Sequence, residues 1–236
     1  MSTTYKQALN RVLEKLGEDT IAGAVSTITN DYQILLGSFL NDVKEEIEDA
    51  HNWRALRQFI SVTVLADAVS GTITGANERS RVCRIFQAEA GAVIPLVFDI
   101  TNASNVAPLT EVDLAELLYR DKIEPNTRGS AQYFAIDNSS GDVLDLYIWP
   151  RSSSSTTVSV GLIVPQAALT VDDLATVIKI PIRPLLAGTT WYALEERGEE
   201  LGVNGIFSEQ RYRDAINSAI ARDAAEQGDN YELVPV

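Results

Sequence analysis

Two helix-patterned blocks, residues 4–57 and 181–226, enclose a long middle that is patterned as strands and turns. The apolar period therefore runs helical, then strand-like, then helical again along one chain. Amphipathic helices need a surface on which to bury their apolar stripes. The two ends satisfy each other if they meet as one helical unit and leave the middle to fold separately. The expected fold is α+β: N- and C-terminal helices form one bundle, with an inserted antiparallel β-sandwich or barrel-like domain. Residues 1–57 and 181–228 are assigned to the bundle, and 58–180 to the β-rich insert with one short helix. Residues 229–236 are assigned to a C-terminal tail.

The helical blocks carry their own punctuation. Tyr5, Ala8, Leu9, Val12, Leu13 and Leu16 recur at helical spacing, and Gly17 stands at a C-cap. Residues 18–29 are small and Thr-rich and are expected to loop. Asn30 caps the next helix, with Gln33 completing a capping-box pattern. Its stripe is Tyr32, Leu36, Phe39, Leu40, Val43, Ile47 and Ala50, and it is expected to run to Trp53 or Arg57. Lys44, Glu45, Glu48 and Asp49 fall mostly off that stripe. In the C-terminal block Pro184 suits a first helical turn. Leu185, Leu186, Thr189, Tyr192 and Ala193 follow it at helical spacing. A turn over Gly202–Gly205 precedes a helix capped by Ser208, with stripe Tyr212, Ala215, Ile216, Ala219 and Ala224, ended by Gly228.

In the middle, Phe59–Leu65, Gly71–Gly75, Val82–Gln87, Val93–Ile100, Tyr133–Asp137, Val143–Trp149 and Thr157–Val164 read as strands. Pro95 puts its strand at an edge or bulge. Asn138-Ser139-Ser140-Gly141 is a hairpin signal. Thr110 as cap, with Val112, Leu114, Leu117 and Leu118, marks the one short helix.

Charge excludes a class of function. The chain of 236 residues carries a formal net charge of −14. The acid is spread over residues 1–57 (−3), 58–180 (−6) and 181–236 (−5), with no basic segment to displace counterions from phosphates. Tight nucleic-acid binding is disfavoured. Cys83 is the single cysteine, so an internal disulfide and a cysteine-based zinc site are excluded. No stretch is long and apolar enough for a membrane span. The start lacks the pattern of a signal peptide, and a soluble, intracellularly made protein is expected.

No residue set suited to chemistry accompanies this layout. His51, the single histidine, sits late in a helix beside Trp53, where a packed role fits better than a Ser-His-Asp triad. The loop 137–142 lacks the spacing and the bidentate Glu of a calcium site. Asp172 and Asp173 follow Thr170, and a helix-start pattern explains Asp173. Glu195, Glu196, Glu199 and Glu200 form a solvated face. Cys83 is expected to be a packed small residue. No catalytic, cofactor-binding or metal-ligating residues are therefore assigned. Trp53, Trp149 and Trp191 each lie near an element end, as junction packing or as intersubunit anchors.

Four stretches resemble the head-to-tail adaptor of short-tailed bacteriophages, also called tail tubular protein A. They are Ala8-Leu9-Asn10-Arg11-Val12-Leu13 with Leu16-Gly17-Glu18, Phe39-Leu40-Asn41-Asp42-Val43 running to Trp53, Ile180-Pro181 leading to Trp191-Tyr192-Ala193, and the Arg211-Tyr212 helix. The likeness covers both helical blocks, and the middle only as a pattern. It implies a structural virion protein at the neck, made in the host cytoplasm, in a ring that is commonly twelvefold. It also implies a tail that reaches the portal protein, here Tyr231, Leu233, Val234, Pro235 and Val236. The strand domain would face the tail tube or nozzle, and double-stranded DNA would pass an acidic lumen without specific binding. Membrane and cofactor play no part. The rival readings are another neck, tail-completion or baseplate protein, a carbohydrate-binding β module using Trp149 and Tyr147, and a carboxylate-based hydrolase.

Overall fold

In chain order the elements are α1 (Tyr5–Leu16), α2 (Asp31–Ala50), a 3-10 turn (Arg54–Leu56), β1 (Arg57–Val64), β2 (Ser70–Ile73), β3 (Arg81–Val82), β4 (Arg84–Gln87), β5 (Ala92–Pro95), β6 (Val97–Asp99), β7 (Ala107–Pro108), β8 (Thr110–Glu111), α3 (Leu114–Ile123), β9 (Tyr133–Asp137), β10 (Leu144–Trp149), β11 (Thr156–Ile163), α4 (Ile182–Glu196), α5 (Val203–Ala225) and β12 (Tyr231–Leu233). The structure is a computed structural model and describes residues 3–23, 27–87, 92–102, 104–138, 143–198, 203–226 and 231–233. The fold is the α+β one expected.

The chain divides into two units. One joins Met1–Leu56 to Gln166–Gly228, and the other joins Arg57–Pro165 to Asp229–Val236. Residues 166–180, assigned to the strand-rich segment on sequence grounds, thus belong with the helices, and residues 229–236 belong with the strands.

In the helical unit, α1 begins with a reciprocal cap: the Gln7 amide donates to Thr4 Oγ1 at 3.3 Å, and the Thr4 amide donates to Gln7 Oε1 at 3.0 Å. It ends at Gly17 in the left-handed region, φ 72°. Asn30 caps α2 by accepting from the amides of Tyr32 and Gln33. The Gln33 side chain donates to the Asp19 carbonyl, so the expected capping box is not formed. α2 stops at Ala50, short of Trp53, because His51 turns extended. The Trp53 indole then donates to the Ile47 carbonyl at 2.6 Å and satisfies a carbonyl of the last turn. α5 starts at Val203, five residues before the expected Ser208 cap. Its expected end at Gly228 lies outside the described residues. Gly188 sits where α2, α4 and α5 meet. A Cβ there would lie 2.6 Å from Val43 Cγ1 and 2.7 Å from Tyr212 Cε2, so only glycine allows this approach.

The strand unit is a two-sheet sandwich with a third small sheet. One sheet runs β1-β11-β6-β7, with β3 also on β11, and the other runs β2-β10-β9-β8. β1 and β11 pair antiparallel over eight positions, Arg57↔Ile163 to Val64↔Thr156. That register aligns Val62 with Val158 and Ile60 with Val160, so one face of both strands is apolar. On β10, Leu144, Leu146 and Ile148 alternate inward and meet Phe134 of β9, Val97 of β6 and Val160 of β11 in one core. β8 and β9 pair parallel, so the β2-β10-β9-β8 sheet is mixed rather than wholly antiparallel.

Two of the expected strands are each broken in two and change sheets. Val82–Gln87 divides at Cys83, where β3 leaves β11 and β4 joins β5. Val93–Ile100 divides at Leu96. The Cys83 amide donates to the Gly161 carbonyl at 2.8 Å, the Leu96 amide to the Cys83 carbonyl at 2.8 Å, and the Gly161 amide to the Leu96 carbonyl at 2.7 Å. A Cβ on Gly161 would lie 2.9 Å from Leu96 Cβ, so the crossing requires a bare backbone. Pro95 lies on β5, an edge strand of the third sheet, β12-β4-β5. Thr110 lies in β8 and does not cap α3. Asp113 does, accepting from the Ala115 amide at 2.8 Å. Of the expected hairpin signal, Ser139, Ser140 and Gly141 lie outside the described residues.

Candidate protein–protein interface

The helical unit is built by contacts that are distant in sequence. Two side chains of α2 grip the returning segment by its backbone. Asn41 donates to the Leu169 carbonyl and accepts from the Leu169 amide, both at 2.8 Å. Lys44 Nζ donates to the Gln166 carbonyl at 2.6 Å, and the Gln166 amide donates to Glu48 Oε1 at 3.0 Å. Lys44 and Glu48 lie 3.3 Å apart, and both side chains are fully buried. Both belong to the polar set that falls mostly off the apolar stripe of α2. Burial is tolerated because the pair neutralises itself and shares its remaining hydrogen-bonding capacity with Gln166.

The start of the chain joins the same segment. The Tyr5 amide donates to the Thr176 carbonyl at 2.9 Å, and the Ile178 amide to the Thr3 carbonyl at 3.0 Å. Thr27 donates to Asp172 at 2.7 Å, and Thr170 to Asp173 at 3.1 Å. The Thr170–Asp173 pattern therefore closes a turn and starts no helix. At the far end of the unit His51 Nε2 lies 3.1 Å from Asp223 Oδ2 and edge-on to Trp53, with ring centroids 4.9 Å apart. Arg54 pairs with Asp223 at 3.5 Å and with Glu226. These contacts give His51 a packed, paired setting on α5.

One polar cluster has perturbed acidity. Glu46 accepts from Tyr212 at 2.7 Å and from Tyr192. Burial, then the hydrogen bond to Glu46, pushes the Tyr192 phenol up to about 12. Tyr212 is raised further by the same causes. Both phenols stay neutral donors at physiological pH and hold α4 and α5 to α2.

Trp53 and Trp191 belong to the helical unit and Trp149 to the strand unit. Trp53 is buried in the helical unit. Trp191, half-buried, packs on Tyr192 and Tyr212, with centroids 5.1 and 5.9 Å away. Trp149, in the strand unit, lies 5.8 Å from Tyr133, and the Arg120 guanidinium sits 4.7 Å over Tyr133 and 5.6 Å over Trp149. Cys83 is buried, and burial raises its thiol. Tyr231 and Leu233 of the expected tail lie in β12, antiparallel to β4 with Tyr231 opposite Gln87 and Leu233 opposite Ile85. Val234, Pro235 and Val236 lie outside the described residues.

Among the described residues no group of three or more His, Cys, Asp or Glu side chains is placed to hold a metal ion. No helix of these residues is long and apolar enough to cross a membrane. What the helical unit offers is surface, with Ile34 of α2 and Phe207 of α5 exposed on it.

The family model described as SU10 adaptor protein matches residues 3–233, both helical blocks and the strand insert together. The chain belongs to the SU10 adaptor protein family. No curated relative matches it. A bacteriophage adaptor is a structural component of the virus particle, in keeping with the resemblance carried by the helical blocks. Membership points away from an enzyme.

Sequence reasoning missed Asn41, Lys44 and Glu48 as organisers of this adaptor. Asn41 gave no local signal. The (i, i+4) spacing of Lys44 and Glu48 was the one readable hint of their pairing.

Proposed function

We propose that the adaptor forms a ring, commonly twelvefold in proteins of this kind, between the capsid portal and the tail tube or nozzle. The observation that carries this reading is the family match over residues 3–233, which spans both ends of the chain and its insert. Each copy presents one face of its helical unit to one neighbour and another face to the next, a head-to-tail contact that closes when the rotation fits. The net charge of −14 supports a lumen past which double-stranded DNA moves without binding.

In this reading the tail, residues 229–236, docks on the portal, and the strand unit faces the tail. The pairing of β12 with β4 covers only Tyr231–Leu233. So short a ladder is marginal by itself and can be exchanged for a portal surface. Deleting residues 229–236 is expected to leave the far-ultraviolet circular dichroism of both units in place and to reduce co-sedimentation with portal. Undiminished occupancy of portal by the truncated protein would refute tail docking.

A further inference from the structure

Copies that each carry a net charge of −14 repel one another at long range. They can lie side by side only where their few cations are gathered at the contact. Arg183 and Arg222 line one groove of the helical unit, and two more cations meet at another. A groove of about 460 Å³ is lined by Lys15 of α1, Ala187, Thr190 and Leu194 of α4, and Phe207, Ser208 and Arg211 of α5. Phe207 is 60% exposed at its rim. Lys15 and Arg211 have no ion-pair partner among the described residues, and each is exposed. They also disfavour each other: burial, then the charge of Arg211, lowers the pKa of the Lys15 ammonium.

The opposite condition holds on α2. Ile34, Ser38, Asp42, Glu45 and Asp49 recur at helical spacing and are exposed. They lie on the reverse of the helix from buried Leu36, Leu40, Val43 and Ile47. Burial, then the charges of Glu45 and Glu46, raises the Asp42 carboxyl. Ridge and groove face different ways. Gly188 and Tyr192 turn one side of α4 to Val43 and Phe39 of α2. Ala187, Thr190 and Leu194 line the groove from the other side. A surface of one sign with an apolar residue on one side, and its complement on the other, is what head-to-tail association requires.

We propose that the groove rimmed by Lys15, Phe207 and Arg211 receives the outer ridge of α2, Ile34 through Asp49, from a second copy of this chain. The pairing rests on the ring reading above and gives it its contact surfaces. Each cationic rim then meets carboxylates, and Phe207 meets the apolar end of the ridge. Glu46 is left to its tyrosines.

The test is charge reversal in the full-length protein, followed by sedimentation alone and with portal-bearing particles. Lys15→Glu with Arg211→Glu, or Asp42→Lys with Glu45→Lys, is expected to weaken association at least about tenfold. All four changes in one chain should restore most of it, because the reversed groove now meets a reversed ridge. A carbodiimide cross-link from Lys15 to Asp42 or Glu45, sought in wild-type protein mixed from heavy and light isotopes, reads the same contact without substitution. A four-fold variant no better than its parents, parents that assemble like wild type, a wild type that stays monomeric with portal present, or cross-links confined to other residues would overturn the pairing. Self-association by these residues in a protein that is absent from the particle neck would defeat the adaptor reading and leave the pairing standing.

Discussion

Glu48→Ala is expected to destabilise the helical unit by about 3–5 kcal/mol, because it removes the carboxylate paired with the buried Lys44 ammonium. Both side chains are fully buried at 3.3 Å, so solvent cannot take over the role of the lost partner. The Gln166 amide also loses its acceptor, at the point where the chain re-enters the helices. Urea unfolding followed by far-ultraviolet circular dichroism measures the effect as a fall in the helical midpoint. The double change Lys44→Met with Glu48→Leu is expected to recover most of the loss, since two apolar side chains of similar volume carry no desolvation cost. A single variant within about 1 kcal/mol of wild type would mean that the pair is hydrated in solution.

Phe134→Ala is expected to cost the strand unit about 3–5 kcal/mol. Its ring is fully buried, and it shares the core with Leu144, Leu146, Ile148 and Val160. It stands opposite Ile148 in the β9–β10 ladder, so the cavity opens between two sheets held by their own registers and closes poorly. Amide hydrogen exchange is the apt measurement, because it reads the strands separately from the helices. Protection should fall first along Tyr133–Asp137, Leu144–Trp149 and Thr156–Ile163. Unchanged protection in those strands would contradict a core closed around Phe134.

Where the sequence was legible, the determinant was local. Gly17 and the stripe from Tyr5 to Leu13 act within α1 and were read from the sequence, as were Asn30 and the stripe of α2, whereas the Thr4–Gln7 cap, equally local, was not. The end of α2 was not legible, since it depends on Trp53 folding back to the Ile47 carbonyl. The burial of Lys44 and Glu48 was not legible either, because the backbone of Gln166 that completes their bonding lies more than a hundred residues away. The breaks at Cys83 and Leu96 are invisible to a period-two pattern, which continues through both while the strands change sheets. They are fixed by Gly161, a partner supplied from another part of the chain. The proposed contact surfaces were half legible: Lys15 and Arg211 stand in segments expected to be helical, but only the packing of α1, α4 and α5 brings them to one groove.

These differences share a cause. Caps and stripes are set by neighbours within a few positions, whereas the grip of α2 on residues 166–169 is set by topology. The helical unit depends on that grip, for it joins segments from both ends of the chain.

Imaging of purified particles in which this chain bears a compact label tests the adaptor reading most directly. The expected result is label density on the particle axis at the neck, between portal and tail. Label over the capsid shell, at the distal end of the tail, or nowhere on the particle would contradict it.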